Sequence, residues 1–598
     1  MKKLFVFLSA IIITAISAAQ VIPANKQVKW SGAGAPTNNP VITNEVNVMS
    51  FGAYGDSIHD DASAIASAIS SLSGHAGIVY FPPGKYLIKS TVNLPDSVIL
   101  RGDCNDSAQL VFNMGGSAID CIDAQASVTN PFQNIISGFA KDTTVIVVAS
   151  TAGFNVGDYA EIQETNGKWN TVPVSWAVNC VGQIIHITAI NGNKITFENP
   201  LRIAYTPSLT PQIRKWVPRT FVGIEDLNIT RTDATMPASG YQISFQNARN
   251  CWVKGVESSH SVGAHVSMDV CSEITITGCY FHDAYAYDGT STRGYGVMMI
   301  QHTGQCLVED NVFNHLRHSV IVKQGANGNV AGYNYAINEY RVEFPTDAGA
   351  DYTCHGHYSF SNLFEGNIGN TIMVDSTWGP TGPYTTFYRN RAALYGILMT
   401  PGASVLSDTL NWVGNETTDN SLFHGLFFMA GINHYEYGNN ILGTITPVGT
   451  NSLVDTSYYR TTFTDIFSSS PYPPTVGPPI ALGTGTIPAM QRYVANGKMT
   501  VSPNPPCKTT TVVNEIATNG DMLIYPNPAS DKIFIKLNTT AISNVEIFSM
   551  DGRVLYKNSI QSNRNLAEIN IAGFSTGVYF VRIDNASGAM VKKLVIER

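Results

Sequence analysis

Charge is scarce in this sequence. Asp, Glu, Lys and Arg make up 13% of its 598 residues, and the net charge of −8 comes with no basic tract. A chain without a cationic stripe lacks the electrostatic footprint that a nucleic-acid backbone needs, so nucleic acid is excluded as a partner. Nine cysteines include no CxxC pair and no metal-ligand spacing, which argues against a metal centre and leaves room for at most a few disulfides. No stretch reaches the ~18 apolar residues of a membrane-spanning helix, and no peptidase or nuclease motif is present.

What is present begins with an address. Lys2 and Lys3 precede the apolar run LFVFLSAIIITAI, and Ser17, Ala18 and Ala19 follow it. That arrangement predicts a secretory signal peptide over 1–19, cut before Gln20, and hence an exported, soluble protein. Residues 20–44 are polar and rich in Pro and Asn, which reads as an extended lead-in.

From Cys251 to about Asn440 one short pattern recurs, in VKGVES, ITGCYF, VEDNVF, VAGYNY, FEGNIG, FYRNRA, WVGNET and YEYGNN. Anchored on Gly255, Gly278, Asp310, Gly332, Gly366, Arg389, Gly414 and Gly438, the spacings are 23, 32, 22, 34, 23, 25 and 24. Five intervals fit one coil of a parallel β-helix, and two fit a coil plus an insertion. Such a fixed period marks a solenoid, in which each coil buries its core only against its neighbours. The next column reads Val256, Cys279, Asn311, Tyr333, Asn367, Asn390, Asn415, Asn439. It predicts a ladder of asparagines hydrogen-bonded from coil to coil.

The rest of the chain fits around this solenoid, which is expected to span 45–464. Ala64, Ile65, Ala68, Ile69 and Leu72 recur at helical spacing behind Asp60 and Asp61, predicting a helix over about 60–73 that caps the open end. Residues 143–205 alternate apolar and polar with Gly-Asp and Asn-Gly turns, predicting a small antiparallel β insertion. Residues 465–522, without periodicity and rich in Pro, Ser, Thr and Gly, read as a linker. Residues 523–598 alternate again and predict a β-sandwich.

Two stretches carry resemblances. FGAYGD, DDASAIASAI, GIVYFPPGKYLI and LPDSVILRGD resemble the N-terminal signature of the pectate-lyase superfamily, in the branch of rhamnogalacturonase-type and epimerase-like proteins. The resemblance implies an all-β, right-handed parallel β-helix. Members are mostly polysaccharide lyases and glycoside hydrolases, with some phage tailspikes. YPNPASD, the Asp551-Gly552-Arg553 turn, and Gly577, Tyr579 and Val581 closely resemble the C-terminal sorting domain of type IX secretion substrates. That implies a Bacteroidetes-type bacterium, the type IX machinery as a partner, and a product that is secreted or held at the cell surface.

Counting back nine residues from successive anchors gives Asp269, Gln301, Lys323, His357 and Pro380; counting back eleven gives Ser267, Met299, Ile321, His355 and Trp378. The alternate positions are mainly apolar, so strand alternation predicts Asp269, Gln301, Lys323 and His357 as one outward row, with His355 and Trp378 in the next. Both insertions, 284–296 with Arg293 and 339–357, enter this face, and Arg317 and His318 lie between them. Long loops converging on a rigid scaffold are where binding and catalysis concentrate. Asp375 shares its register with His318, fourteen before an anchor, and also fits a turn cap. The same reading gives structural roles to His282 and His315, and no metal to His355 and His357.

For β-elimination on a uronate, Arg317 would neutralise the carboxylate, Lys323 or His357 act as base, and His318 or a tyrosine as acid, with Asp269 in the same row. Hydrolysis would need paired carboxyls, for which Asp269, Asp283, Asp288, Glu365 and Asp375 are available. Motifs of the polygalacturonase-type hydrolases and of the calcium pectate lyases are both missing. The cationic strip favours a monomeric lyase on an acidic polysaccharide, bound by Gln301, His355, Trp378, Arg293 and Asp375. Ca2+ is left open as a cofactor, and a non-catalytic glycan-binding protein is the alternative outside enzymes.

Overall fold

The computed structural model describes residues 21–597 apart from 37–41, 73, 105, 234–238, 290, 341–348, 401–404, 454–455, 461–475, 502–521, 538–541, 543, 550–552, 560–564 and 586–587. The expected signal peptide therefore lies outside the described residues. The chain falls into two compact units that divide after Pro506.

The first unit is a right-handed parallel β-helix. A thirteen-stranded sheet runs from Glu45–Asn47 to Tyr435–Tyr437. Two further parallel stacks complete each coil, as in the sequence Ser272–Thr277, Tyr280–Ala284, Tyr295–Ile300. Coils close because the recurring anchors sit in the left-handed region, with φ of 64° at Gly255, 63° at Gly278 and 68° at Gly366. A conformation that costs an L-residue energy recurs mostly at glycine. Inside, successive coils stack like on like: Phe364 on Phe387 at 4.9 Å and Phe387 on Trp412 at 4.1 Å.

The asparagine ladder is continuous through Asn311, Asn334, Asn367, Asn390, Asn415 and Asn439, with amide-to-amide bonds of 2.9–3.1 Å. Asn334, not Tyr333, takes the fourth place. In that coil the left-handed residue is Tyr333 (φ 53°), so the sequence anchor at Gly332 was one residue early. A second, shorter ladder joins Asn329 to Asn362 at the other turn.

The capping helix, Ala62–Ser71, buries Ala64, Ile65, Ala68 and Ile69 against the first coil. The insertion is a closed six-stranded barrel from Gln133–Ser137 to Gln212–Trp216, with its own core of Ile146, Ile162, Ile185 and Ile213. It exceeds 143–205 at both ends because these two outer strands pair with each other and close it. The lead-in lies along the solenoid: Tyr435 donates to Val21 O, Trp30 to Ser361 O, and Ala35 N to Thr275, before Asn44 O accepts from Ile78.

Residues 476–501, expected within a linker, instead pack on the solenoid. Val476, Ile487 and Ala489 are buried beside Tyr458 and Tyr459, and Arg492 in the short helix Pro488–Val494 pairs with buried Asp310 at 2.7 Å. Irregular backbone with scattered apolar anchors leaves no period to read. The second unit is a β-sandwich: a three-stranded and a four-stranded antiparallel sheet share a core of Ile533, Ile535, Val545, Ile547, Val581 and Leu594. Among the described residues no helix is long and apolar enough to cross a membrane.

Candidate active site

One parallel stack carries the chemistry-bearing residues. Its strands Ala264–Asp269, Tyr295–Ile300, His318–Val322, Tyr352–His355 and Ile368–Asp375 pair in register. Val266, Met268, Val297, Met299, Val320, Val322, Cys354 and Val374 face the core. Alternation puts Asp269, Ile300, Lys323, His355 and Asp375 in one outer row, with rungs ~4.8 Å apart.

This row differs from the sequence expectation. Gln301 and His357 lie beyond the strand ends, in left-handed turn positions with φ of 39° and 47°, and Ile300 and His355 take their places. Met298, not Met299, faces outward, in a small cluster with Tyr295 and Ile321. Turn length is the cause. Asp269 lies nine residues before its anchor Gly278, His355 eleven before Gly366, and Asp375 fourteen before Arg389, so a fixed count slips along the solenoid.

Within the row, His355 Nδ1 bonds Asp375 Oδ2 across one rung. Asp375 is fully buried, which by itself would raise its pKa. His355 and the Thr377 amide outweigh burial and hold the carboxyl below the usual range. A carboxylate on Nδ1 fixes the tautomer and leaves the Nε2 lone pair for other work.

Lys323 occupies the preceding rung. Burial and then the Arg317 guanidinium bring its ammonium down to about 8. Its side chain makes no hydrogen bond or ion pair among the described residues, and its Nζ lies 5.6 Å from the ring centre of Trp176. Arg317, buried, reaches Tyr295 Oη at 3.3 Å. His318 donates from Nδ1 to Ala350 O at 2.9 Å, while Nε2 is buried without a partner among the described residues. Burial, then Arg317 and His355, keep this imidazole neutral, well below its ordinary pKa. The rings of His318 and His355 lie 6.0 Å apart. Two rungs before Lys323, Asp269 accepts from Gln246 at 3.3 Å, and burial pushes its carboxyl up to about 6.

The barrel supplies one wall. Between its strands Tyr159–Gln163 and Gly182–Asn191, a loop lies over the strand ends. Gln324 donates to Trp176 O at 3.0 Å, Gln301 to Val178 O at 3.1 Å, and His302 Nε2 to Asn179 O at 2.7 Å. The other nitrogen of His302 bonds barrel residue Glu161 at 2.6 Å. Trp176 contacts Trp378 at 5.4 Å and His357 at 4.9 Å. His357 is fully buried beneath these two indoles, with neither ring nitrogen partnered among the described residues. Burial foremost brings it down to about 4, and the ring packs under the aromatic wall, beyond the end of its strand.

Residues 45–249 match the family described as rhamnogalacturonase A/epimerase, pectate lyase-like, and residues 523–597 match the secretion system C-terminal sorting domain. The pectate lyase-like match thus falls on the first coils and the barrel, and the sorting-domain match on the second unit. Mannuronan C5-epimerase AlgE6 of Azotobacter vinelandii is 32% identical over 115 residues, 17% of this chain and 12% of the relative. A non-secreted LysM effector, LysM19 of Penicillium expansum, is 35% identical over 57 residues, 10% of this chain and 4% of the relative. The chain thus spans a small fraction of the curated relatives it matches. Among solved structures, tailspike gp49 of Pseudomonas phage LKA1 overlaps 62% of this chain and 64% of its own, at 17% identity and TM-score 0.46. The A-module of the Azotobacter vinelandii mannuronan C-5 epimerase AlgE4 overlaps 66% and 87%, at 14% identity and TM-score 0.33.

The remaining acids that the sequence offered are dispersed. Asp283 lies on the neighbouring stack between His282 and His315, at 2.9 and 2.8 Å. Arg293 pairs with Asp288 at 2.9 Å. Glu365 is buried on the thirteen-stranded sheet, bonded to Tyr333 and Tyr458 N. Among the described residues no three His, Cys, Asp or Glu side chains are arranged to hold a metal. A cavity of about 450 Å3 at the capped end is lined by Leu72, His75, Asn93 and Arg219, far in register from the row. Sequence reading missed Trp176 and Tyr295, one in a loop without a motif and the other masked as core by its aromatic neighbours.

Proposed function

We propose that this protein is a secreted polysaccharide lyase that removes the C5 proton of a uronate residue and expels the C4 substituent. The observation that carries this reading is the His355–Asp375 pair set one rung from a lysine brought close to neutrality. His355 Nε2 takes the C5 proton, with its tautomer fixed by Asp375. Arg317 offsets the uronate carboxylate, which lowers the cost of the carbanion. The C4–O4 bond breaks as the C4=C5 double bond forms, and Lys323 gives its proton to the departing O4. A lysine with a pKa near 8 is charged at neutral pH yet close enough to transfer a proton efficiently.

Two further observations favour proton abstraction over hydrolysis. Hydrolysis needs two carboxyls facing across one bond, whereas Asp375 is spent on His355, and Glu161, the carboxylate that bears on Asp269, is spent on His302 and Arg214. A relative named as a C5-epimerase also works at C5 of a uronate polymer. The sorting domain supports export through a type IX machinery.

The test uses a panel of uronate and neutral polysaccharides, with ultraviolet absorbance and reducing-end release read together. Both rising on one uronate polymer is the expected result. Reducing ends without absorbance would replace this reading with hydrolysis. Deuterium uptake at C5 without cleavage would move it to epimerisation, and no response of any kind would sink the enzymatic reading.

A further inference from the structure

The barrel is not inert decoration on the solenoid. Its loop holds Trp176 with 48% of its surface exposed, next to Val178 at 60%. Large apolar groups left in water at a rigid position mark contact surfaces. This position is rigid: three hydrogen bonds from Gln301, His302 and Gln324 tie backbone carbonyls of 176, 178 and 179 to turns of two successive site coils. His302 is further fixed by Glu161, itself bound to Arg214 at 2.6 Å. Buried Arg202 bonds Asn327 at 2.7 Å and adds a second clamp between barrel and solenoid. One edge of the indole rests on His357 and Trp378, and Lys323 points its ammonium at the ring.

We infer that Trp176 is a sugar-stacking platform that the barrel contributes to the groove, forming with Trp378 a subsite for the residue next to the one at Lys323 and His355. The inference rests on the groove being a polysaccharide site. A pyranose presents an apolar face of C–H bonds, and an indole offers a flat, weakly hydrated surface that matches it without fixing hydroxyl chemistry. The ligand class is therefore a pyranose polymer, held by ring stacking on the barrel side and by charge on the solenoid side. Trp176 acts in binding and touches no reacting atom.

The experiment uses full-length protein carrying His355→Ala, so that nothing is cleaved, in native gels containing polygalacturonate, alginate, hyaluronate or a neutral glucan. Trp176→Ala is expected to weaken retardation by the bound polymer at least about tenfold, because it removes the flat apolar face on which the sugar ring rests. Trp176→Phe should restore most of it. A structural role alone would predict a lower melting temperature and no rescue specific to aromatics. Equal retardation with Trp176→Ala, or no retardation by any polymer, overturns the inference. Trp176-dependent binding in a protein that shows no C5 chemistry would leave the subsite standing and remove the lyase.

Discussion

The His355 imidazole and the Asp375 carboxylate are bonded across adjacent coils although twenty residues separate them in sequence. This pair has the geometry of a general base with its orienting acid, and its contribution can be isolated. His355→Ala should lower kcat/KM by on the order of a thousandfold. Asp375→Asn should lower it by a smaller factor and leave the fold intact, because the amide can still bond Thr377 N. Equal activity in the parent and both variants would exclude His355 from proton abstraction.

Lys323 sets the alkaline limit. As the acid, it must carry its proton, which it does below about 8 and loses above it. The pH profile of kcat/KM should therefore fall with rising pH through about 8, and Lys323→Arg should lack that limb. A rate that climbs through the same range would exchange the roles and make Lys323 the base.

Asp283 separates the lyase from a hydrolase. It lies on the neighbouring stack, held by His282 and His315. Asp283→Ala should leave turnover within about twofold, whereas a carboxylate-pair mechanism would lose most of its rate. Initial rates on the cleaved polymer decide between them.

The ladder gives a stability prediction. Asn367 accepts from Asn334 N and Nδ2 and donates to Asn390 and to Ala331 O. Asn367→Ala removes all four bonds and orphans buried partners, which should cost about 3 kcal/mol. The shift in denaturant midpoint measures it, and a shift too small to resolve would make the ladder decorative.

Buried carboxyls and buried imidazoles pull the pH dependence of stability in opposite directions. Burial raises Glu164, Asp226, Asp310 and Glu365 to about 7, so through pH 5–7 each holds a proton that the unfolded chain has released and its contribution falls as pH rises. Burial lowers His265, His318, His357 and His434, which the unfolded chain protonates in the same window, so their contribution rises with pH. One group can be isolated: Glu365→Gln removes a falling contribution, so the melting temperature of the variant relative to the parent should rise from about pH 5 to about pH 7. A difference that stays flat or falls across that range would contradict the raised Glu365.

Solenoid and sandwich were legible because each rests on a repeated local choice. A left-handed residue recurs once per coil, and Gly255, Gly278, Gly366, Gly414 and Gly438 show it directly. Register within a coil was less legible. It depends on turn length, and turns absorb extra residues at little cost, so His355 could not be distinguished from His357 by counting. Lys323, Arg317, His318 and Asp269 fell correctly on one outer stack because their turns are close to the common length. Trp176 was out of reach, since its place follows from the barrel docking on turns 120–150 residues away, contacts without local sequence signature.

The lead-in runs counter to the order of synthesis. Val21 bonds Tyr435 in the last coil, and Asn44 meets the first coils. Besides the packing of 476–501 and of the barrel, the solenoid thus carries a strap between its last coil and its first. Individual coils can no longer fray from a terminus independently, because loosening the last one also releases the beginning of the chain. The strap also cannot seat until the coil bearing Tyr435 exists, so Val21 locks after the coils that lie between them in sequence.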